Sequence, residues 1–143
     1  MLKLGRKVEY ALIAIMHLDS LSEQELSTTR EIAQRFNIPP DVLGKVLQSL
    51  NRRGLLNSSQ GVKGGYRLQQ PLGEIVLGDI IEAIEGPVHV AACTCGTHDC
   101  PQASNCNIQA PVFHFQEQLL TFLHNLSLDT FQRQKQPSAE IAL

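Results

Sequence analysis

The chain has 143 residues, 43% of them hydrophobic, which suffices for one ordinary core and a small appendage. No stretch approaches the roughly 18 uninterrupted apolar residues of a membrane span. The first residues, with Lys3, Arg6, Lys7 and Glu9, lack the apolar core of a secretory leader, so a cytoplasmic chain without membrane contact is expected. The formal net charge of -2 hides an asymmetry: residues 1–70 carry ten Lys/Arg and six Asp/Glu, whereas residues 71–143 carry two and eight. A basic half joined to an acidic half suggests a local nucleic-acid footprint.

Residues 5–21 place Val8, Leu12, Ile15 and Leu18 or Met16 three and four apart, the pattern of a first helix with one buried stripe. Thr28-Thr29-Arg30-Glu31 has the spacing of a capping box, and Ile32, Ala33 and Phe36 supply the apolar face of a second helix over 29–36. Asn37-Ile38-Pro39-Pro40 predicts a turn, with Pro40 suited to the first position of the next helix. In that third helix Val42, Leu43, Val46, Leu47 and Leu50 form the buried stripe, Asp41, Lys45, Gln48 and Arg52 share the opposite face, and Gly54 is the stop.

Leu55–Ser59 and Tyr66–Leu68 read as two short strands around a glycine-rich loop with Lys63 at its tip. Three helices, a tight turn between the second and third, and a basic-tipped hairpin reproduce the order of a winged helix-turn-helix. A short amphipathic helix over 78–85 follows, ended by Gly86-Pro87. Beyond Pro111, the residues Val112, Phe115, Leu119, Phe122 and Leu126 repeat at helical spacing, widened by Phe113, Leu120 and Leu123, and such a stripe on an arm is most simply hidden against a two-fold mate. Ser127 can cap a last turn ending near Phe131, and the tail from Arg133 is polar and expected to fray.

The fold class expected is therefore mainly α with a small β-hairpin: a winged helix-turn-helix domain over 1–86, a cysteine-rich loop over 87–110, a dimerisation helix over 111–133 and a disordered tail over 134–143. All four cysteines, Cys93, Cys95, Cys100 and Cys106, fall within fourteen residues of a segment without apolar periodicity. In a reducing compartment such a cluster points to metal binding or redox chemistry rather than structural disulfides, and without a ligand the loop should be poorly ordered. Thiolates suit an iron-sulfur cluster or zinc and exclude hard ions such as magnesium. The spacing Cys-X-Cys then Cys-X5-Cys is not the two close pairs of a zinc ribbon.

Tyr10-Ala11, Arg30-Glu31-Ile32-Ala33, Gly54-Leu55, the wing with Gly64-Gly65-Tyr66, Gly78-Asp79-Ile80 and the cysteine loop before a long helix together resemble the Rrf2-type (IscR/NsrR-like) winged-helix regulators over residues 1–133. The resemblance implies a homodimer, palindromic operator DNA, third helices in adjacent major grooves and wings at the flanking minor grooves. It places Thr28, Thr29, Arg30, Asp41, Lys45, Gln48, Arg52, Gln60 and Lys63 at the DNA. Gly44 and Gln60 depart from the family pattern, which has a more polar reader at the first and arginine at the second, so a known operator sequence does not transfer.

The resemblance also implies an iron-sulfur cluster, two-iron or four-iron, held by three cysteines separated by five residues each. Cys100 and Cys106 match that spacing, and the first position falls on Thr94, between Cys93 and Cys95, either or both of which could bind. The histidine that some branches place three residues after the last cysteine is Gln109 here. The remaining ligand is then Glu9 of the opposite subunit in preference to His98, or none if both Cys93 and Cys95 bind. A repressor sensing redox state, iron or nitric oxide follows, with zinc or thiol-disulfide control, or a DNA-free adaptor, as alternatives. Enzymatic activity is not expected: no nucleophile motif groups Ser, His and Asp, no Cys-X-X-Cys adjoins a strand-helix unit, and Gly61–Gly65 lacks the Gly-Lys-Ser/Thr ending of a phosphate loop.

Overall fold

Helix α1 (Arg6–Asp19) buries Val8, Ala11, Leu12, Ala14, Ile15 and Leu18, the three- and four-residue repeat that turns one stripe inward. In the computed structural model, which describes residues 2–96 and 99–133, this stripe is the centre of the core. Helix α2 (Thr29–Phe36) starts where Thr28 caps it, the Thr28 hydroxyl accepting from the Glu31 amide at 3.1 Å. Only half of the expected capping box forms, because the Glu31 carboxylate accepts from the Ser27 hydroxyl at 3.3 Å instead of reaching back to the cap. Asn37, at φ 54°, turns the chain through the left-handed region so that helix α3 (Pro40–Arg52) can begin on Pro40.

Helix α3 buries Leu43, Val46, Leu47 and Leu50, while Val42 at its flank is only half-buried. Gly54, at φ 80°, releases the chain into strand β1 (Leu56–Ser59), which pairs antiparallel with β2 (Gly65–Leu68), Leu56 opposite Leu68 and Ser59 opposite Gly65. The wing has a third partner that alternation did not reveal: Ser27 exchanges both backbone hydrogen bonds with Tyr66, at 3.1 and 2.8 Å. A Cβ on Gly65 would lie 2.9 Å from the Ser27 carbonyl carbon, so this closeness requires glycine.

Ser27 also joins the two helices above it. Its hydroxyl donates to Glu31 and so accepts from His17 Nε2 at 3.3 Å, and the His17 ring stands edge-on to Phe36. Burial lowers the pKa of His17 below the ordinary histidine value of 6.5, Arg35 adds to the depression and Glu31 opposes it. The unfolded chain therefore takes up this proton first, so the contribution of His17 is complete above pH 6.5 and is lost as the pH falls through the lower folded-state value. Thermal unfolding between pH 7.5 and 5 is expected to fall more steeply for wild type than for His17→Gln; parallel curves would contradict this.

Helix α4 (Leu77–Glu85) lies against α1 and α3, with Leu77, Ile80 and Ile81 buried, and Gly86 ends it at φ 81°. Short 3-10 helices at Leu72–Glu74 and Ala92–Cys95 carry no sequence periodicity; the Thr94 hydroxyl and amide fold the second back onto the Ala91 carbonyl at 2.7 and 3.1 Å.

Helix α5 (Gln109–Asn125) begins two residues before the expected Pro111, because proline is tolerated in a first turn whose amides have no helical partner anyway. The expected apolar stripe is split between two faces. At about 100° per residue, Leu119, Leu123 and Leu126 turn toward the core and α4, while Ile108, Phe115 and Phe122 form a neighbouring row that is 58, 49 and 61% exposed. The helix stops where the apolar repeat ends, because residues 75–77 capture the chain: the Leu77 amide donates to the Leu126 carbonyl at 2.9 Å and the Leu128 amide to that of Ile75 at 2.8 Å. Helix α6 (Leu128–Arg133) starts on Ser127, whose hydroxyl accepts from the Thr130 amide at 3.2 Å. The tail expected over 134–143 lies outside the described residues.

Candidate functional site

Two surfaces separate on this frame. The first is polar and joins α2, α3 and the wing. Asp41, Lys45, Gln48 and Arg52 recur at four- and three-residue steps on the outer face of α3, and all four are exposed. The apolar stripe behind them is fully committed to the core, so this face is what the helix has left to offer a partner. Gly44 lies toward α2, where a Cβ would make an ordinary contact with the Thr29 methyl at 3.9 Å.

Beside that face, Thr28, Thr29 and Arg30 at the start of α2 and Ser58, Ser59 and Gln60 of the wing line a cleft of about 450 Å³. The cleft lies at the start of α2, and a helix start beside hydroxyls and a guanidinium suits an anion such as a backbone phosphate. Lys63 stands exposed in the wing loop beyond. The structure thus brings the nine residues expected at DNA onto α3, the α2 start and the wing, the three elements that a winged helix presents to a duplex.

The second surface is the cysteine segment. Cys93, in the 3-10 helix, and Cys100 and Cys106, in the turns before α5, line one cavity of about 600 Å³ that also meets Gln109 and Val112 at the beginning of α5. Cys95 is exposed and does not line it, so the two candidates flanking Thr94 are unequal in this fold. The Val90 amide donates to the Gln116 side chain at 3.0 Å, tying the incoming linker to the first half of α5. The Cys100 thiol lies 3.5 Å from Gln102 Oε1.

Three thiols around one cavity are a donor set that fits a thiophilic metal or an iron-sulfur cluster. Among the described residues, however, no three His, Cys, Asp or Glu side chains already stand in a metal-holding arrangement, so the turns must draw in for the thiols to converge. His98 lies outside the described residues.

Glu9 is not part of this cavity within one subunit. It pairs with Arg6 at 2.9 Å and lines a separate groove with Leu12, Met16, Phe36 and Phe131. Sequence reading also passed over the charged contacts that join α3, α4 and α5 and the His17–Ser27–Glu31 chain, since each unites residues 4 to 42 positions apart without any motif.

No helix among the described residues is long and apolar enough to cross a membrane. A model of the Rrf2 family, described as an iron-dependent transcriptional regulator, matches residues 4–134. Protein aau3 of Rhizobium meliloti is 34% identical over 110 residues, which cover 76% of this chain and 71% of that protein. The structure of CymR, the global cysteine regulator of B. subtilis, superposes with a TM-score of 0.67 at 26% identity, over 92% of this chain and 96% of that one. That of T. potens IscR superposes with a TM-score of 0.66 at 22% identity, over 92% and 87%, a likeness of fold.

Proposed function

The chain belongs to the Rrf2 family of transcriptional regulators, and from that premise we propose that it is a homodimeric repressor of a palindromic operator whose affinity is set by an iron-sulfur cluster in the cysteine cavity. It is a binding protein and not an enzyme, as the family is. The observation that carries the proposal is the grouping of Cys93, Cys100 and Cys106 around one cavity at the start of α5. When bound, the cluster supplies redox-, iron- and nitric-oxide-labile iron.

The chain's own part is mechanical. Closing the turns on a common centre draws the Ala92–Cys95 helix toward the start of α5, and α5 lies on α4, which packs on α3. The separation of two third helices across a dimer therefore responds to the cysteine site. A coupling of about 1 to 3 kcal/mol changes affinity some five- to 150-fold, enough for a switch. Glu9, half-exposed in the first turn of α1, would complete the ligand set from across the dimer.

Thiol-disulfide control is the second reading, supported by the likeness to CymR and by thiols that line one cavity without standing at ligating positions. Zinc would occupy the same three thiols, and a DNA-free adaptor would use the fold without the α3 face.

DNA binding is tested by titrating a labelled duplex from upstream of the chain's own coding sequence across a salt series. Affinity is expected to fall linearly with salt on a logarithmic plot, and Lys63→Ala to lower that slope by about 1 while weakening all sequences alike. Gln48→Ala instead alters the preference among sequences. Binding without salt dependence, or none, would contradict the regulator reading and favour the adaptor.

A further inference from the structure

Arg53 occupies the junction of the two elements that face the candidate DNA surface. It follows Arg52 at the end of α3, and Gly54 then turns the chain into the wing. Its guanidinium donates to Glu82 of α4 at 3.1 Å. The other oxygen of the same carboxylate meets His124 Nε2, in the last turn of α5, also at 3.1 Å. His124 Nδ1 lies 3.7 Å from Asp79, and the ring rests on the α4 backbone so closely that a Cβ on Gly78 would come within 2.7 Å of it. One carboxylate, 23% exposed, thus spans the end of the third helix and the end of α5.

The opposite end of α5 opens on the cysteine cavity, through Gln109 and Val112. At about 1.5 Å per residue, the helix sets its first turn and His124 roughly 20 Å apart. A rigid element with a responsive site at one end and a two-sided charged contact at the other can move the group held by that contact.

We propose that Glu82 is a positioning residue, which fixes the α3–wing junction through Arg53 according to the placement of α5 read through His124. The proposal rests on the reading of α3 as the helix that meets DNA. No hydrogen bond joins Arg53 to His124, yet their effects are joined through Glu82, whereas independent surface contacts would act separately.

The test is a mutant cycle of Arg53→Gln and His124→Gln in the Glu82 chain and again in Glu82→Gln, with circular dichroism confirming the fold and the upstream duplex as probe. With Glu82 present, the double variant is expected to depart from additivity by about three- to tenfold in Kd, and Glu82→Gln is expected to abolish that departure. Additive effects in both backgrounds, with wild-type binding intact, would overturn the relay alone. Non-additivity in thermal unfolding but not in DNA affinity would leave Glu82 a stabilising contact and overturn its positioning role. Failure of the wild type to bind the duplex would instead defeat the reading of α3 on which the relay rests.

Discussion

Replacing Phe115 and Phe122 together by lysine is expected to turn the proposed dimer into a folded monomer and to weaken binding to the proposed operator by about 10²- to 10⁴-fold, the range lost when two linked contacts become one. Both rings lie on the row of α5 that the core leaves uncovered, at 49 and 61% exposure, so their removal costs the monomer little packing. In a two-fold interface each substitution acts twice, removing four rings. Burying the rest of each ring is worth roughly 1 kcal/mol or more, and lysines on the same row face each other as like charges. Sedimentation should show the monomer, with far-UV circular dichroism unchanged. A double variant that remains dimeric would place the interface elsewhere.

Replacing Cys106 or Cys100 by alanine is expected to erase the response to the cysteine site, so that a five- to 150-fold difference in affinity between loaded and stripped protein falls to none. The same substitution at Cys93 should behave alike, because its thiol lines the same cavity. Cys95→Ala should leave the response intact, since Cys95 is exposed and outside that cavity. Operator titration of anaerobic preparations, before and after chelation, reads all four. Loss of response in Cys95→Ala would mean that the turns rearrange to bring that thiol in when the site fills.

The half of this molecule that carries the candidate DNA surface was legible in sequence because its signals are local. The Thr28 cap, Pro40 at the head of α3, the Leu43–Val46–Leu47–Leu50 stripe and Gly54 each act within a turn of their own position, and each stands where its chemistry requires. The polar face of α3 followed from the buried one. What could not be read depends on contacts across the chain. Helix α5 carries more apolar residues than one face holds, and only its packing on α4 shows that Leu119 and Leu123 belong to the core while Phe115 and Phe122 do not.

The cysteine site shows the same division. Type and spacing identified the thiols, but a register one residue from the family's left Cys93 and Cys95 equivalent. Folding the Ala92–Cys95 turn is what places Cys93 at the cavity and Cys95 away from it. Glu82, with partners 29 and 42 residues away, has no sequence signature at all.

The central claim is that the occupant of the Cys93–Cys100–Cys106 cavity sets affinity for DNA. It is tested most directly by one anaerobic preparation, assayed for iron and sulfide and titrated with the upstream duplex, then stripped by chelation under reducing conditions and titrated again. The account predicts visible absorption with bound iron and sulfide, and a change in Kd of at least about fivefold on stripping. A colourless protein whose Kd is unaltered by chelation, and shifts instead on mild oxidation of the thiols, would contradict it.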